Sequence, residues 1–295
     1  MDYFGGVEAG GTKFVCAIGT GDGKIMKKTT FPTGLPAETI GKAIDFLKDE
    51  RFPLTAVGIG SFGPLDLHRN SPTYGMITKT PKKHWQFVDL IKPFGQALGI
   101  PVVLDTDVNA AAFGEAVWGG ADKLESLIYL TVGTGIGGGA VVNGRLLHGL
   151  VHPEMGHIRI PRHPEDKDFA GICPFHGDCL EGMASGASMA ARWGVSAETI
   201  PANHLAWDIE AHYIAAGIAD LICVLSPERV VLGGGVMKHP GLLDQIRKRT
   251  LNFLNGYIYS ETITERIETF IVQPALGDQV GVLGSIALAV KQIDF

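Results

Sequence analysis

Several things are scarce in this 295-residue chain, and each shortage removes a class of function. Four cysteines are too few for a disulfide-stapled secreted scaffold of this length. Lysine and arginine occur only in short groups such as Lys27-Lys28 and Lys82-Lys83, and the formal net charge is −6. A nucleic-acid partner is therefore not expected, because it needs a concentrated basic face. No apolar run approaches the roughly 18 residues that span a bilayer, so no membrane partner is expected either. The first residues lack a basic stretch followed by an apolar segment and a small-residue cleavage site, and a cytoplasmic protein is expected. With 45% hydrophobic residues, the chain can still bury a sizeable core and divide into two domains.

What the chain has in quantity is glycine, 40 residues in all. Two glycine-rich turns each follow an apolar run of strand character. The first, Gly10-Gly11-Thr12-Lys13, lies between Phe4–Ala9 and Phe14–Ile18. The second, Gly133-Thr134-Gly135-Ile136-Gly137, lies between Leu127–Val132 and Ala140–Val142. A turn without side chains lets backbone N–H groups approach an anion closely, and two such turns suggest two halves gripping one polyphosphate. The first turn is not a P-loop, since the G-x4-G-K-[ST] spacing is absent.

Apolar spacing predicts a helix over 38–47, entered after Pro36, and a short buried strand at 56–60. Helical spacing returns at 87–98, where Pro93 should kink or split it. A strand at 101–104 delivers Asp105-Thr106-Asp107-Val108-Asn109 at its carboxyl end, and Asn109 opens a helix. In the second half, helices are expected at about 182–193, 204–225 and 280–292, with a strand at 229–232 ending in Gly233-Gly234-Gly235. The fold class is α/β, with ligands at strand ends. The shared strand–glycine turn–strand opening hints at a duplication, without a residue-level repeat.

Asp107 is the candidate general base, held at a rigid strand end beside the hydrogen-bonding side chain of Asn109. The alternative is that Asp107 or Asn109 merely caps the following helix. Thr12 offers a hydroxyl to a phosphate oxygen and Lys13 a cation, while Glu8 is a candidate Mg²⁺ ligand, directly or through water. A solvated Glu8–Lys13 pair across the hairpin is the competing reading. Glu154 and His157 share a glycine-containing turn suited to sugar hydroxyls, and Glu181 is placed to join them. His148, His152 and His163 read as polar loop residues.

The cysteines divide into two kinds. Cys16 and Cys223 sit in apolar runs and are expected to be small buried hydrophobes. Cys173, His176 and Cys179 form a C-x2-H-x2-C loop, and with His157 they supply four ligands suited to tetrahedral structural Zn²⁺. A free-thiol loop with incidental histidines is the alternative.

Taken in order, Glu8–Lys13, Asp107-Val108-Asn109, Gly133–Gly137, Glu154–His157, the cysteine loop and Leu232–Val236 resemble the ROK family of sugar kinases, within the actin-like ATPase superfamily. The resemblance spans nearly the whole chain. It implies two ribonuclease-H-like α/β domains around an active-site cleft. Residues 1–115 with 281–295 would form the smaller, and 116–280 the larger domain carrying the zinc loop. It implies ATP and Mg²⁺, with Asp107 as base toward the 6-hydroxyl of a hexose. Asn109, Glu154, His157 and Glu181 match sugar-binding positions, His157 serving the zinc as well. Gly10, Gly11, Thr12, Lys13, Thr134, Gly135 and Gly137 match the phosphate loops, and Gly233, Gly234 and Gly235 the adenosine loop.

Two departures from the family pattern are informative. Glu8 stands where an Asp is usual, and His176 replaces a cysteine of the glucokinase-like zinc loop. The latter, with the segments 80–85 and 148–154, is similar to the bacterial fructokinase branch, so fructose is the expected substrate and a homodimer the expected assembly. Kinases for glucose, mannose or N-acetylmannosamine, and a non-catalytic sugar sensor, are the alternatives. A repressor on the same scaffold is disfavoured by the acidic charge and by a phosphate loop within the first dozen residues.

Overall fold

The computed structural model describes residues 2–120 and 124–291. The first half runs β1 (Tyr3–Ala9), β2 (Lys13–Thr20), β3 (Ile25–Pro32), α1 (Pro36–Leu47) and β4 (Leu54–Ser61). A small hairpin follows, β5 (Met76–Ile77) with β6 (Val88–Asp89), then α2 (Lys92–Leu98), β7 (Val102–Thr106) and α3 (Asp107–Trp118). Its main sheet has the order β3-β2-β1-β4-β7, with β1, β4 and β7 parallel and the two hairpin neighbours antiparallel.

The second half repeats the plan. β8 (Leu127–Val132), β9 (Ile136–Val142) and β10 (Arg145–Leu146) are followed by α4 (Leu180–Ala184), α5 (Gly186–Trp193), α6 (Leu205–Leu225) and β11 (Arg229–Gly233). Then come α7 (Leu242–Leu254), α8 (Glu261–Thr264), α9 (Ile267–Phe270), β12 (Ile271–Val272) and α10 (Val280–Lys291). The order β10-β9-β8-β11-β12, with β8, β11 and β12 parallel, reproduces that of the first sheet. The duplication hinted at by the two glycine turns is thus present as topology, and both sheets follow the ribonuclease-H-like plan.

Burial explains the element types. β1 and β2 are buried almost throughout because α1 packs on one face and α10 on the other, whereas edge strand β3 alternates half-buried and exposed positions. Phe14 and Trp85 pack with ring centroids 5.6 Å apart, and Trp85 donates to the Gly34 carbonyl at 3.0 Å. Trp85 is fully buried, so that part of the 80–85 segment belongs to the core.

α10 returns to the first half and lies directly on β1 and β4. The buried Ser285 hydroxyl donates to the Val7 carbonyl (3.1 Å) and accepts from Gly60 N–H (3.2 Å). So close an approach requires glycine: a Cβ on Gly58 would stand 1.9 Å from the Ser285 carbonyl oxygen. Since both partners are backbone, Gly58→Ala is expected to destabilise the fold by about 1–3 kcal/mol, readable by denaturant titration.

Three sequence expectations need correction. The helix over 87–98 is only Lys92–Leu98: Phe87 has φ 60°, residues 88–89 join the small hairpin, and Pro93 starts the helix rather than kinking it. The helix at 182–193 is two pieces broken at Ser185, whose side chain caps the second by accepting from Ser188 N–H. Cys16 is buried as expected, and its burial pushes the thiol up to about 12, but Cys223 lies on the outer face of α6 and is exposed.

Candidate active site

The site is assembled where strands of both sheets end. β7 delivers Asp107 to the first position of α3, with Thr106 as N-cap accepting from Asn109 N–H at 3.1 Å. Capping therefore falls to Thr106, which frees the Asp107 carboxyl from that task, although one of its oxygens accepts from Val108 N–H at 2.9 Å. Asp107 keeps an edge at the surface, yet protein surrounds its carboxyl closely. Desolvation, with the negative fields of Glu8 and Glu154, outweighs the backbone bond and pushes it up to about 7.

Glu8 at the end of β1 is raised too, by burial, against the opposing pull of Lys13 and Lys28. Its carboxylate lies over Gly281 in the first turn of α10, where an added Cβ would come within 2.4 Å of Glu8 Cδ.

Both glycine turns present bare backbone. Gly10 N–H closes on the Lys13 carbonyl at 3.0 Å, and Gly133 N–H on that of Gly135 at 2.9 Å. A Cβ at Gly11, Gly133 or Gly235 would meet nothing within 4 Å, so these positions leave space for a ligand against the main chain. Thr12, Lys13 and Thr134 are exposed beside that space, with Gly137 packed on Val108 of α3. Gly233 ends β11, and Gly234, at φ +96°, has backbone that other residues rarely adopt; its missing Cβ would collide with the Val132 carbonyl oxygen at 2.2 Å.

Glu181, on the first turn of α4, joins two parts of the site. One carboxylate oxygen accepts from Ile136 N–H at 3.0 Å in the second glycine turn, and the other lies 3.9 Å from His157 Nε2. Glu154 is exposed just before the turn carrying His157.

The other face of His157 belongs to the cysteine loop. His157 Nδ1 is 3.4 Å from Cys179 Sγ and 3.7 Å from Cys173 Sγ, while His176 Nδ1 is 3.5 Å from Cys173 Sγ. The four ligand atoms lie within 4.8 Å of one another. An N–S edge of about 3.5 Å is what tetrahedral Zn²⁺ with ordinary bond lengths requires, so the donor set and spacing fit that ion. The knuckle is tight: Gly177 N–H donates to the Cys173 carbonyl at 2.9 Å, and both thiols are buried.

Asn109 corrects an expectation. It is fully buried, its amide nitrogen donating to Asp105 at 2.9 Å and its oxygen accepting from Ala140 N–H at 3.3 Å. A side chain so committed supports the site and does not face a sugar. His148, His152 and His163 are likewise more than polar loop residues. His148 pairs with Asp105, His152 Nε2 donates to the Gly138 carbonyl at 3.0 Å, and His163 is buried 3.3 Å from an Asp208 oxygen. The sequence signal passed over was Asp105 itself, an ionisable residue in a buried strand that must find donors.

A cavity of about 1050 Å³ has Leu104 and Glu154 in its lining, but not Asp107. The loop after β4 and the segment from Arg145 to Glu154 form its walls.

Comparison with known proteins agrees with this arrangement. A fructokinase of Lactococcus lactis subsp. cremoris is 49% identical over 256 residues, covering 87% of each chain. A fructokinase of Zymomonas mobilis is 45% identical over 293 residues, covering 97% of this chain and 96% of that one. The crystal structure of a ROK family glucokinase from Streptomyces griseus, in complex with glucose and AMPPNP, superimposes with TM-score 0.73 at 27% identity, covering 98% of this chain and 99% of that one. With its glycine turns, Asp107 and the doubled sheet in place, and with residues 4–292 matching the family as a whole, this chain belongs to the ROK family.

Proposed function

We propose that this enzyme transfers the γ-phosphoryl group of ATP to the 6-hydroxyl of D-fructose, with Asp107 as general base. The observation that carries the reading is the Asp107 carboxyl. It stands at the N-terminus of α3 between two bare glycine turns, with an affinity for protons brought near neutrality by burial. A base with a pKa of about 7 is well matched to removing a hydroxyl proton at physiological pH. The fructokinases of 45–49% identity support fructose as the acceptor.

In this reading the turns at 10–13 and 133–137 cradle the phosphates and the turn at 233–235 receives the adenosine. Mg²⁺ would supply charge neutralisation at the phosphates, with Glu8 as a candidate to hold it. Glu154, His157 and Glu181 orient the sugar, and Asp107 accepts the proton from its 6-hydroxyl. Phosphoryl transfer asks little covalent chemistry of the protein, so positioning and charge stabilisation dominate. Zn²⁺ on His157, Cys173, His176 and Cys179 would supply structural cross-linking. The cleft separates a first unit ending near residue 115, to which α10 returns, from a second unit holding the zinc loop. A cytoplasmic homodimer completes the proposal.

Fructose is expected to give the highest kcat/KM among fructose, mannose, glucose and N-acetylmannosamine in a coupled ADP-release assay. A clear preference for glucose or N-acetylmannosamine overturns the substrate assignment while leaving a sugar kinase.

A further inference from the structure

The loop from Leu147 to Glu154 walls the large cavity and ends on the carboxylate proposed to hold the sugar, yet it contains no helix or strand. Three imidazoles tie it down. His68 Nε2, from the loop after β4, donates to the Leu150 carbonyl at 2.6 Å, and His152 Nε2 donates to the Gly138 carbonyl on β9. The third tie ends on a buried carboxylate. Asp105 on β7 has no exposed surface, and its carboxylate takes three donors: Thr106 N–H at 2.7 Å, Asn109 Nδ2 at 2.9 Å and His148 Nε2 at 2.8 Å. A buried carboxylate is tolerated only with such a complement, and removing one partner leaves it uncompensated.

We propose that Asp105 and His148 are positioning residues for sugar binding, the pair locking the 147–154 loop, and hence Glu154, to the same strand end that presents Asp107. The lock works because one strand supplies both anchor and base: Asp105 lies two residues before Asp107, and Asn109 closes the network from α3. No atom of the pair needs to touch the sugar. The role rests on the proposed assignment of Glu154 to the sugar site.

The pair also brings a pH dependence. Burial opposes charge on His148, but its bond and attraction to Asp105 and its bond to the Leu146 carbonyl prevail, raising it above the ordinary imidazole range. The titratable groups facing it include Asp105 from β7 and His152 from its own loop. Burial lowers His152, so that imidazole gives up its proton at lower pH than His148 does. With the folded-state pKa raised, the charged pair is complete at low pH and weakens as pH rises through the His148 pKa. The Asp107 ionisation acts in the opposite sense, limiting turnover at acid pH.

The test is KM for fructose and for ATP, with kcat, from pH 6 to 9 in wild type, His148→Gln and His148→Ala. We expect KM for fructose to rise on the alkaline side in wild type. His148→Gln, which donates to Asp105 but does not titrate, should keep KM within about fivefold and lose the alkaline rise. His148→Ala should raise KM for fructose at least tenfold, with KM for ATP within twofold. An Ala variant with wild-type KM for fructose, an Ala variant that raises both KM values equally, or a Gln variant that keeps the alkaline rise each overturns the inference. A wild-type enzyme inactive on fructose refutes the function instead.

Discussion

Asp107→Asn is expected to lower turnover on fructose by about 10²–10⁴, the usual span for a lost general base, while fructose affinity stays within about tenfold. The isosteric amide keeps the acceptor for Val108 N–H but cannot take the hydroxyl proton. In wild type, kcat/KM should fall as pH drops through about 7, because the base is then protonated, and the variant should lack that limb. Stability should move the other way. A folded-state pKa above the ordinary 3.8 means the folded chain binds this proton more tightly than the unfolded chain does. Ionising Asp107 therefore costs stability from about pH 4 upward, and the cost is complete above about pH 7. The variant should melt no lower than wild type at pH 8, trading activity for stability. Near-normal turnover would remove Asp107 from the mechanism, and a fall in melting temperature at pH 8 would contradict its electrostatic account.

Disrupting the proposed zinc site should act on fructose affinity and stability rather than on turnover. Cys179→Ser removes a buried ligand from the N-cap position of α4, the helix whose first turn carries Glu181. The account predicts one Zn²⁺ per chain in wild type and none in the variant, by elemental analysis. It also predicts a lower melting temperature and KM for fructose raised about tenfold or more. KM for ATP should change far less. His157 gives this asymmetry a path, since its Nδ1 faces the thiols and its Nε2 faces Glu181. A zinc-free wild type, or unchanged fructose affinity after verified zinc removal, would contradict the coupling.

Much of this was legible in the sequence because the decisive residues sit on local patterns. The two strand–glycine turn–strand units announce themselves within a dozen residues each, and Cys173, His176 and Cys179 share one short loop. What failed to show was either long-range or ambiguous in period. The Asp105–His148 pair joins residues 43 apart, and nothing local to either names the other. The family resemblance implies a sugar contact for Asn109, and an amide beside a candidate base suits a ligand and a buried network equally. Only its lack of exposed surface distinguishes them. The apolar spacing across 87–98 imitates a helix, but Phe87, Val88 and Leu90 are spaced by a turn, a hairpin strand and a core contact. Cys223 belongs to an apolar run, yet its position on α6 is exposed.

The most direct measurement of the central claim is phosphorus NMR of a reaction holding enzyme, Mg·ATP and fructose, followed to completion. Phosphoryl transfer to the 6-hydroxyl predicts one sugar-phosphate resonance, that of fructose 6-phosphate, growing in step with ADP and absent with Asp107→Asn over the same interval. Fructose 1-phosphate as product, or ADP accompanied only by inorganic phosphate, would contradict it.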